Sequence, residues 1–276
     1  MTRRHGLRSG RGSVPPVVRR VAGAGAMLCA ALLIAAAAQA DVVSQGDLQV
    51  AAFGRLEPNR LPRNATAPIS VFIAGRVGTT DGSTPPQLQG LSIKLNRHGV
   101  LQSDGLPVCR LTQIQPASTE RALQDCGSSL IGAGQFWAEI VLPGQAPYRT
   151  EGRLLAFNGR EGSRPVVFVH IFTSNPFFNS FVITFSMRHL SQGPYGTELR
   201  ASLPQALGSW GYVNRIKMTL SRKYTSGGRH LSYFNASCPA AKGFPTANFQ
   251  LAQADFDFAG RKPLVVSLTR PCSVGG

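Results

Sequence analysis

The sequence predicts an all-β protein, an antiparallel β-sandwich of about a dozen strands with one or two short helices. Short runs in which apolar and polar residues alternate follow one another along most of the chain. Clusters of glycine, asparagine and serine separate these runs, for example at 81–83, 158–159 and 226–228. Stretches with helical periodicity are scarce. Together these observations favour many short strands joined by tight turns.

The first 40 residues have the pattern of a secretory signal peptide. Arginines come first, an apolar run covers 21–38, and Ala38-Gln39-Ala40 forms a small-x-small cleavage site before Asp41. We therefore expect a secreted protein or one of the extracytoplasmic cell envelope. No later apolar run reaches the roughly 18 residues that a membrane helix needs, so no transmembrane segment is expected in the mature chain.

The mature chain, 41–276, is expected to form a single β-sandwich domain. A loop rich in proline, glycine and glutamine at 143–150 is the best candidate for a sub-boundary. In chain order the predicted strands are 48–56, 69–77, 91–96, 136–142, 153–157, 166–172, 181–188, 197–203, 212–224, 230–235, 249–258 and 264–269.

Short helices are expected at two places between these strands. Residues 119–126 follow Ser118, a good N-cap, and precede Gly127, which would stop the helix in the left-handed conformation. A second helical turn is predicted at 204–207, which begins with proline and ends before a glycine.

Five cysteines occur in the chain, and four of them follow residue 40: Cys109, Cys126, Cys238 and Cys272. An even number in an exported chain indicates disulfides, for which three connectivities exist. We expect Cys109–Cys126 and Cys238–Cys272, because these pairs close the shorter loops. A metal site is not expected, since no CxxC occurs and no histidine lies within a few residues of a cysteine.

The strand 212–224 alternates most clearly and gives the leading functional hypothesis. Residues 41–276 carry 23 lysines and arginines against 13 acidic residues, a net charge of +10 that favours anionic partners. We expect a non-catalytic binding or structural module that engages an acidic envelope polymer or a membrane surface through this basic strand; nucleic acid is not expected. The candidate binding residues are Arg215, Lys217, Lys223, Arg229, Tyr212, Tyr224 and Tyr233.

An alternative function is carriage of a lipid or another apolar ligand. The strand 166–172 is apolar on both faces, which predicts a central strand covered on both sides, and it leads into a phenylalanine-rich hairpin. Aromatic side chains at such a turn either fold over an open end of the sandwich or contact lipid. The candidate lining residues are Phe168, Phe172, Phe177 and Phe178.

An enzyme is not expected, and no cofactor is indicated. GxSxG and HExxH do not occur, and the nearest pattern, at 208–211, leads into a predicted strand where a nucleophile elbow needs a helix. His170 is expected to be a buried, hydrogen-bonded core residue. A hydrolase with acids assembled from loops is the third alternative, and its candidate acids are Glu139, Glu151, Asp255 and Asp257.

Two segments resemble secreted actinobacterial proteins that have no established activity. The first joins Gly105-Leu106-Pro107-Val108-Cys109 to a short helix ending at Cys126 and to Ile131-Gly132-Ala133-Gly134. The second is the closing segment from Cys238-Pro239 to Cys272. The resemblance implies export, paired cysteines and β architecture, and it transfers no catalytic residue.

Overall fold

The computed structural model describes residues 40–141, 144–174, 178–203 and 211–275, and Ala38–Gly276 forms one compact unit. The predicted signal peptide, except for Ala40, the predicted helical turn at 204–207 and Phe177 all lie outside the described residues. None of the described helices is long and apolar enough to cross a membrane.

Strands dominate the described chain, as the alternating pattern predicts. In the first half the strands are β1 (Asp41–Gln45), β2 (Leu48–Glu57), β3 (Arg60–Leu61), β4 (Ala67–Pro68), β5 (Ser70–Thr79), β6 (Leu88–Asn96), β7 (Gly99–Leu101), β8 (Leu130–Ile140) and β9 (Tyr148–Glu161). In the second half they are β10 (Arg164–Thr173), β11 (Asn179–His189), β12 (Tyr195–Ser202), β13 (Gly211–Leu220), β14 (Lys223–Ser226), β15 (Arg229–Ser232), β16 (Phe234–Ala236), β17 (Thr246–Phe258) and β18 (Leu264–Val274). The helices are α1 (Leu111–Ile114) and α2 (Thr119–Cys126), and a 3-10 turn follows at Gly127–Ser129.

One curled sheet of 13 strands forms most of the molecule, in the order β1-β2-β5-β13-β8-β9-β10-β11-β12-β6-β17-β18-β3. Its neighbouring strands are antiparallel except for β18 and β3. Two small sheets, β4-β16-β7 and β14-β15, complete the fold. The prediction of an all-β antiparallel fold with short helices and two disulfides is confirmed. Opposite parts of the sheet face each other as the layers of a sandwich do, but hydrogen bonding runs continuously from one part to the other.

The two ends of the large sheet meet along a seam between β1–β2 and β17–β18. Arg270 on β18 forms an ion pair with Asp41 at 2.8 Å, and its Nε donates to the carbonyl oxygen of Gly54 at 2.6 Å. A second ion pair, at 3.0 Å, joins Arg261 to Asp47. Beneath them lies an apolar cluster drawn from both ends of the sheet: Leu48, Val50, Ala52, Phe258, Leu264, Val266 and Leu268. The curled shape therefore rests on side-chain packing as well as on strand pairing.

Two glycines, one on β8 and one on β9, permit the close approach of neighbouring strands. A Cβ at Gly134 would lie 2.1 Å from the carbonyl oxygen of Lys217, and one at Gly152 would lie 2.3 Å from that of Phe172. Any other residue at either position would force the strands apart. The segment 143–150, the candidate sub-boundary, connects β8 to β9, which pair with each other in the same sheet.

Both disulfides connect the predicted cysteines. Cys109–Cys126 joins α2 to the chain that docks beside β9, and Cys238–Cys272 joins the segment after β16 to β18. The predicted helix 119–126 is confirmed, with the Ser118 hydroxyl accepting from the backbone N–H of Arg121. The expected left-handed stop at Gly127 is wrong: its φ is −59°, because the chain continues into the 3-10 turn.

We predict that both disulfides stabilise the fold and that the longer loop contributes more. The pairs are separated by 17 and 34 residues. The loop-entropy relation gives about 3 kcal/mol for Cys109–Cys126 and about 4 kcal/mol for Cys238–Cys272. Denaturant unfolding of the two Cys→Ala double variants checks this order. A longer-loop variant as stable as the parent chain would contradict it.

Candidate functional site

The inner face of the curled sheet encloses a cavity of about 390 Å³. Nearly every strand of the sheet contributes to its wall, and the lining is dominated by aliphatic and aromatic side chains. The hairpin β10–β11 provides Val167, Val169, Ile171, Phe181, Ile183 and Phe185. The described part of the wall contains no aspartate, glutamate, histidine, cysteine, serine, threonine or lysine.

Partial exposure of inward-facing residues shows that the interior is not filled by side chains. Ile73, Ile93, Leu199 and Ile216 all line the cavity, yet each retains an intermediate solvent-accessible fraction. In a close-packed core, aliphatic side chains of this size lie in contact on all sides and lose nearly all of their accessible surface. The remaining accessible surface of these residues therefore borders the cavity.

The two ends of the cavity differ in chemistry. One end is lined by the small sheet β4-β16-β7, through residues such as Leu101 and Phe234. The other is lined by the end of β5 and the start of β13, which bring Tyr212 and Asn214 to the wall. Arg76 borders the same end, but it pairs across the strands with Arg215 on the outer face.

Glu139, on the outer face of β8, engages the polar side chains beside that end of the cavity but is not itself part of the wall. It accepts a hydrogen bond from the Tyr212 hydroxyl at 2.8 Å and one from the Asn214 side-chain amide at 3.3 Å. Arg149 lies 3.7 Å from the same carboxylate. Burial, followed by the hydrogen bond to Glu139, raises the pKa of Tyr212 to about 12. Tyr212 is therefore a fixed, neutral hydrogen-bond donor to Glu139 at physiological pH.

The three described phenylalanines among those predicted to line an apolar pocket, Phe168, Phe172 and Phe178, are not part of the cavity wall. Phe168 is fully buried in a separate cluster beneath the disulfide-linked helices, and Phe172 is not part of the cavity wall. Phe178 is 81% exposed, with its ring centroid 6.3 Å from that of Phe172. On β10 the cavity is lined by Val167, Val169 and Ile171, which lie on the other face of the strand. Both faces of this strand are apolar, and the face with Phe168 is the one covered by the helices.

His170 lies on the same covered face of β10 and is fully buried. Its Nε2 is 3.0 Å from the carbonyl oxygen of Ala117, to which the neutral ring donates, while its Nδ1 has no protein partner among the described residues. Burial lowers the pKa of His170, and the hydrogen bond to Ala117 opposes this only in part. His170 therefore fastens the chain before α2 to the sheet as a neutral imidazole.

The predicted basic strand is shorter than expected, so its residues divide between two surfaces. β13 ends at Leu220, and the chain then leaves the large sheet. Arg215 and Lys217 remain together on the outer face of β13, whereas Lys223 and Arg229 lie on the separate hairpin β14–β15. The alternation continues through 212–224 in the sequence, and it gives no sign that the strand ends.

The predicted tyrosines do not form a free aromatic surface on this strand. Tyr212 is engaged by Glu139, as described above. The Tyr224 hydroxyl donates toward the carbonyl oxygens of Gln102 and Asp104 at 3.2 and 3.0 Å. Tyr233 is fully buried, and burial, followed by the proximity of Tyr224, raises its pKa.

Trp137 on β8 is the aromatic residue that accompanies the basic strand. The guanidinium of Arg215 and the ammonium of Lys217 each lie 5.2 Å from its ring centroid. Cross-strand pairing places Arg76 on β5 beside Arg215. It also places Gln135 on β8 beside Lys217, and Arg153 on β9 beside Gln135. Alternation of Gln135, Trp137 and Glu139 with apolar residues marks the outer face of β8 in the sequence. Sequence reasoning missed these residues because it does not show which strands are neighbours.

The acids of the hydrolase hypothesis do not converge. Glu139 and Glu151 lie on β8 and β9, whereas Asp255 and Asp257 lie on β17, five strands beyond β9 in the sheet order. Asp255 forms an ion pair with Lys94 at 2.7 Å. Within the described residues, no group of three or more histidines, cysteines or acids is placed to hold a metal ion.

Comparisons of the chain with models of protein families, with curated proteins and with solved structures find no match. The fold and site define a β protein with an apolar inner cavity and a cationic outer face. Its function is therefore argued from this geometry alone.

We predict that His170 makes stability depend on pH below neutrality. Its pKa in the folded chain is below the ordinary value of 6.5. As pH falls through 6.5, the unfolded chain takes up the proton first, so the free energy of unfolding decreases until the folded-state pKa is reached. Thermal unfolding between about pH 7.5 and pH 5 measures this.

His170→Gln should remove that component of the pH dependence, because the glutamine amide can still donate to Ala117 but does not titrate. The same substitution at the exposed His230 is the control and should leave the slope unchanged. A parental slope retained in the His170→Gln variant would contradict this account.

Proposed function

We propose that the protein is an exported, non-catalytic binding protein that holds an apolar ligand in its inner cavity. The observation that carries this proposal is the cavity of about 390 Å³ with its almost wholly apolar wall. Small-molecule sites in proteins have volumes of about 300–1,000 Å³, so the cavity has the size of a ligand site. An apolar ligand would supply the van der Waals contacts that the partly exposed wall residues lack.

The chemistry of the wall supports binding rather than catalysis. Its described residues provide no carboxylate, imidazole, thiol, aliphatic hydroxyl or amine that could act as nucleophile or general base. The polar groups of Tyr212 and Asn214 at one end of the wall donate to Glu139, which lies outside the wall and is further engaged by Arg149.

Export is part of the same proposal. The first described strand begins at Asp41, directly after the predicted cleavage site. The carboxylate of Asp41 pairs with Arg270 in the seam. Two disulfides are typical of proteins in oxidising, extracytoplasmic compartments. Both observations agree with removal of residues 1–40 and with a mature chain outside the cytosol.

A second function, attachment to an anionic polymer or surface of the cell envelope, is favoured by the cations around Trp137. Arg215 and Lys217 both lie over its ring. Among the described residues, neither of them forms an ion pair with a carboxylate, and Arg76 beside Arg215 forms none either. Unpaired cations held on an aromatic ring are available to anions without first breaking a salt bridge.

If the ligand binds in the cavity, a bulky side chain introduced into the cavity should weaken ligand binding strongly. Leu199→Trp places a large ring into the cavity, whereas Arg200→Trp places the same ring on the outer face of the same strand. Titration with the fluorescent apolar probe N-phenyl-1-naphthylamine should show at least tenfold weaker binding for Leu199→Trp and unchanged binding for Arg200→Trp. Equal affinities for both variants would mean that the probe binds outside the cavity.

The mass of the protein from its native host's exported fraction tests export and occupancy together. Under denaturing conditions the chain should start at Asp41 and lack four hydrogens because of the two disulfides. Under native conditions we expect additional mass from an apolar ligand that is lost on denaturation. A chain that still carries residues 1–40, or free thiols, would contradict the proposed export.

A further inference from the structure

The outer face of the sheet contains a shallow groove beside the cation cluster. It is lined by Phe72 on β5, by Lys217, Met218 and Thr219 on β13, by Ala133, Gly134 and Gln135 on β8, and by Arg153 on β9. Small residues at 133 and 134 lower the floor between the larger side chains on either side. The groove crosses neighbouring strands and is open to solvent along its length.

Strand pairing arranges the side chains of this region in three parallel rows. One row is Arg76–Arg215–Trp137–Glu151, the next is Ala74–Lys217–Gln135–Arg153, and the third is Phe72–Thr219–Ala133. Neighbouring strands are about 5 Å apart, and alternate residues along a strand are about 7 Å apart. The cations therefore form a two-dimensional array with repeated spacing on a rigid sheet.

The positions of the two central cations are constrained before any ligand binds. Trp137 holds Arg215 and Lys217 by cation–π contacts, which reduces the conformational freedom lost when an anion binds. Arg153 is near the start of α2, where it contributes to lowering the pKa of Glu120 after the backbone and Ser118 hydrogen bonds. Glu151, Glu139 and Glu120 are the nearby acids, and Glu139 is already engaged by Tyr212, Asn214 and Arg149. The four cations Arg76, Arg153, Arg215 and Lys217 therefore leave the surface cationic.

The groove combines charge with groups that recognise sugars. Gln135 and Thr219 provide an exposed amide and an exposed hydroxyl, and Phe72 provides an aromatic wall. An acidic polysaccharide offers one carboxylate per charged ring, together with hydroxyls and apolar ring faces, and so matches all three kinds of group. A membrane surface matches less well. Trp137 and Phe72 are both only partly exposed, Trp137 lies beneath two cations and Phe72 beneath Arg55, so neither ring projects from this region to enter a bilayer.

We propose that this groove binds a chain of acidic sugars, a uronate-type polysaccharide, with Lys217 and Arg153 contacting carboxylates and Gln135 and Thr219 contacting hydroxyls. The inference rests on the second proposed function, attachment to an anionic envelope polymer, and names the site and the ligand class. It is independent of the inner cavity, which lies on the opposite face of the sheet.

Binding of the full mature chain to polygalacturonate, dextran sulfate and phosphatidylglycerol vesicles tests the proposal. Lys217→Gln combined with Arg153→Gln should weaken polygalacturonate binding at least tenfold. The matched control, Lys223→Gln combined with Arg229→Gln, removes the same charge from the β14–β15 hairpin and should leave the affinity within twofold of the parent.

Thr219→Trp fills the groove and keeps every charge, and it separates a shaped site from general attraction between charges. We expect at least tenfold weaker binding to polygalacturonate and an unchanged affinity for dextran sulfate. The thermal midpoint of each variant shows whether it is folded. If Thr219→Trp does not fold, the polygalacturonate affinity of the Lys217→Gln, Arg153→Gln variant tests the groove.

The outcomes distinguish this inference from the function on which it rests. Equal affinity for both polymers, with no effect of Thr219→Trp, would overturn the groove while keeping attachment to anionic polymers. Binding to vesicles but not to polygalacturonate would also overturn it and would identify a membrane surface as the partner. Failure to bind any of the three at low salt would overturn both.

Discussion

The meeting of the two ends of the large sheet is the constraint on which the rest of the structure depends. The first strands of the chain pack against the last long hairpin through a shared apolar cluster, and Arg270 joins them by contacting both Asp41 and the backbone of Gly54. If these ends separated, the inner face would open to solvent along its whole length. Burial of the inner apolar surface, the main source of stability, therefore requires the seam.

Curling the sheet produces an inner face that is too large for its own side chains to fill. Glycine at 134 and 152 allows the neighbouring strands to approach β8 and β9 closely, and it leaves no side chain at those points. Aliphatic residues elsewhere on the inner face remain partly accessible. Close packing is the rule for small domains, so the proposal of a ligand site rests on the apolar space that persists in the core. On the outer face, the pairing of β13 with β8 brings Arg215, Lys217 and Trp137 together.

Local features of this fold could be predicted from the sequence because they depend on neighbouring residues. The cap at Ser118, the helix that it begins, and the pairing of each cysteine with its nearest partner are of this kind. Alternation also identified most strands, and an apolar run covering both faces identified the core strand that holds Val167 and Ile171.

Features that depend on distant parts of the chain could not be predicted. Two apolar faces on β10 look alike in the sequence, and the helices that cover the Phe168 face are held there by Cys109–Cys126 and by contacts across the fold. The neighbours of β13 are β5 and β8, which lie far from it in the chain, so the partnership of Lys217 with Trp137 is invisible to pattern analysis. The cavity is likewise a property of the whole curled sheet.

The measurement that tests the central claim most directly is a crystal structure of the mature chain under xenon pressure. Xenon enters apolar cavities that contain no protein atoms, without needing a specific ligand. The account predicts xenon density inside the curled sheet, in contact with wall residues such as Leu199 and Ile216, or density for a co-purified ligand in the same place. An interior filled by interdigitated side chains, with neither xenon nor ligand, would contradict it.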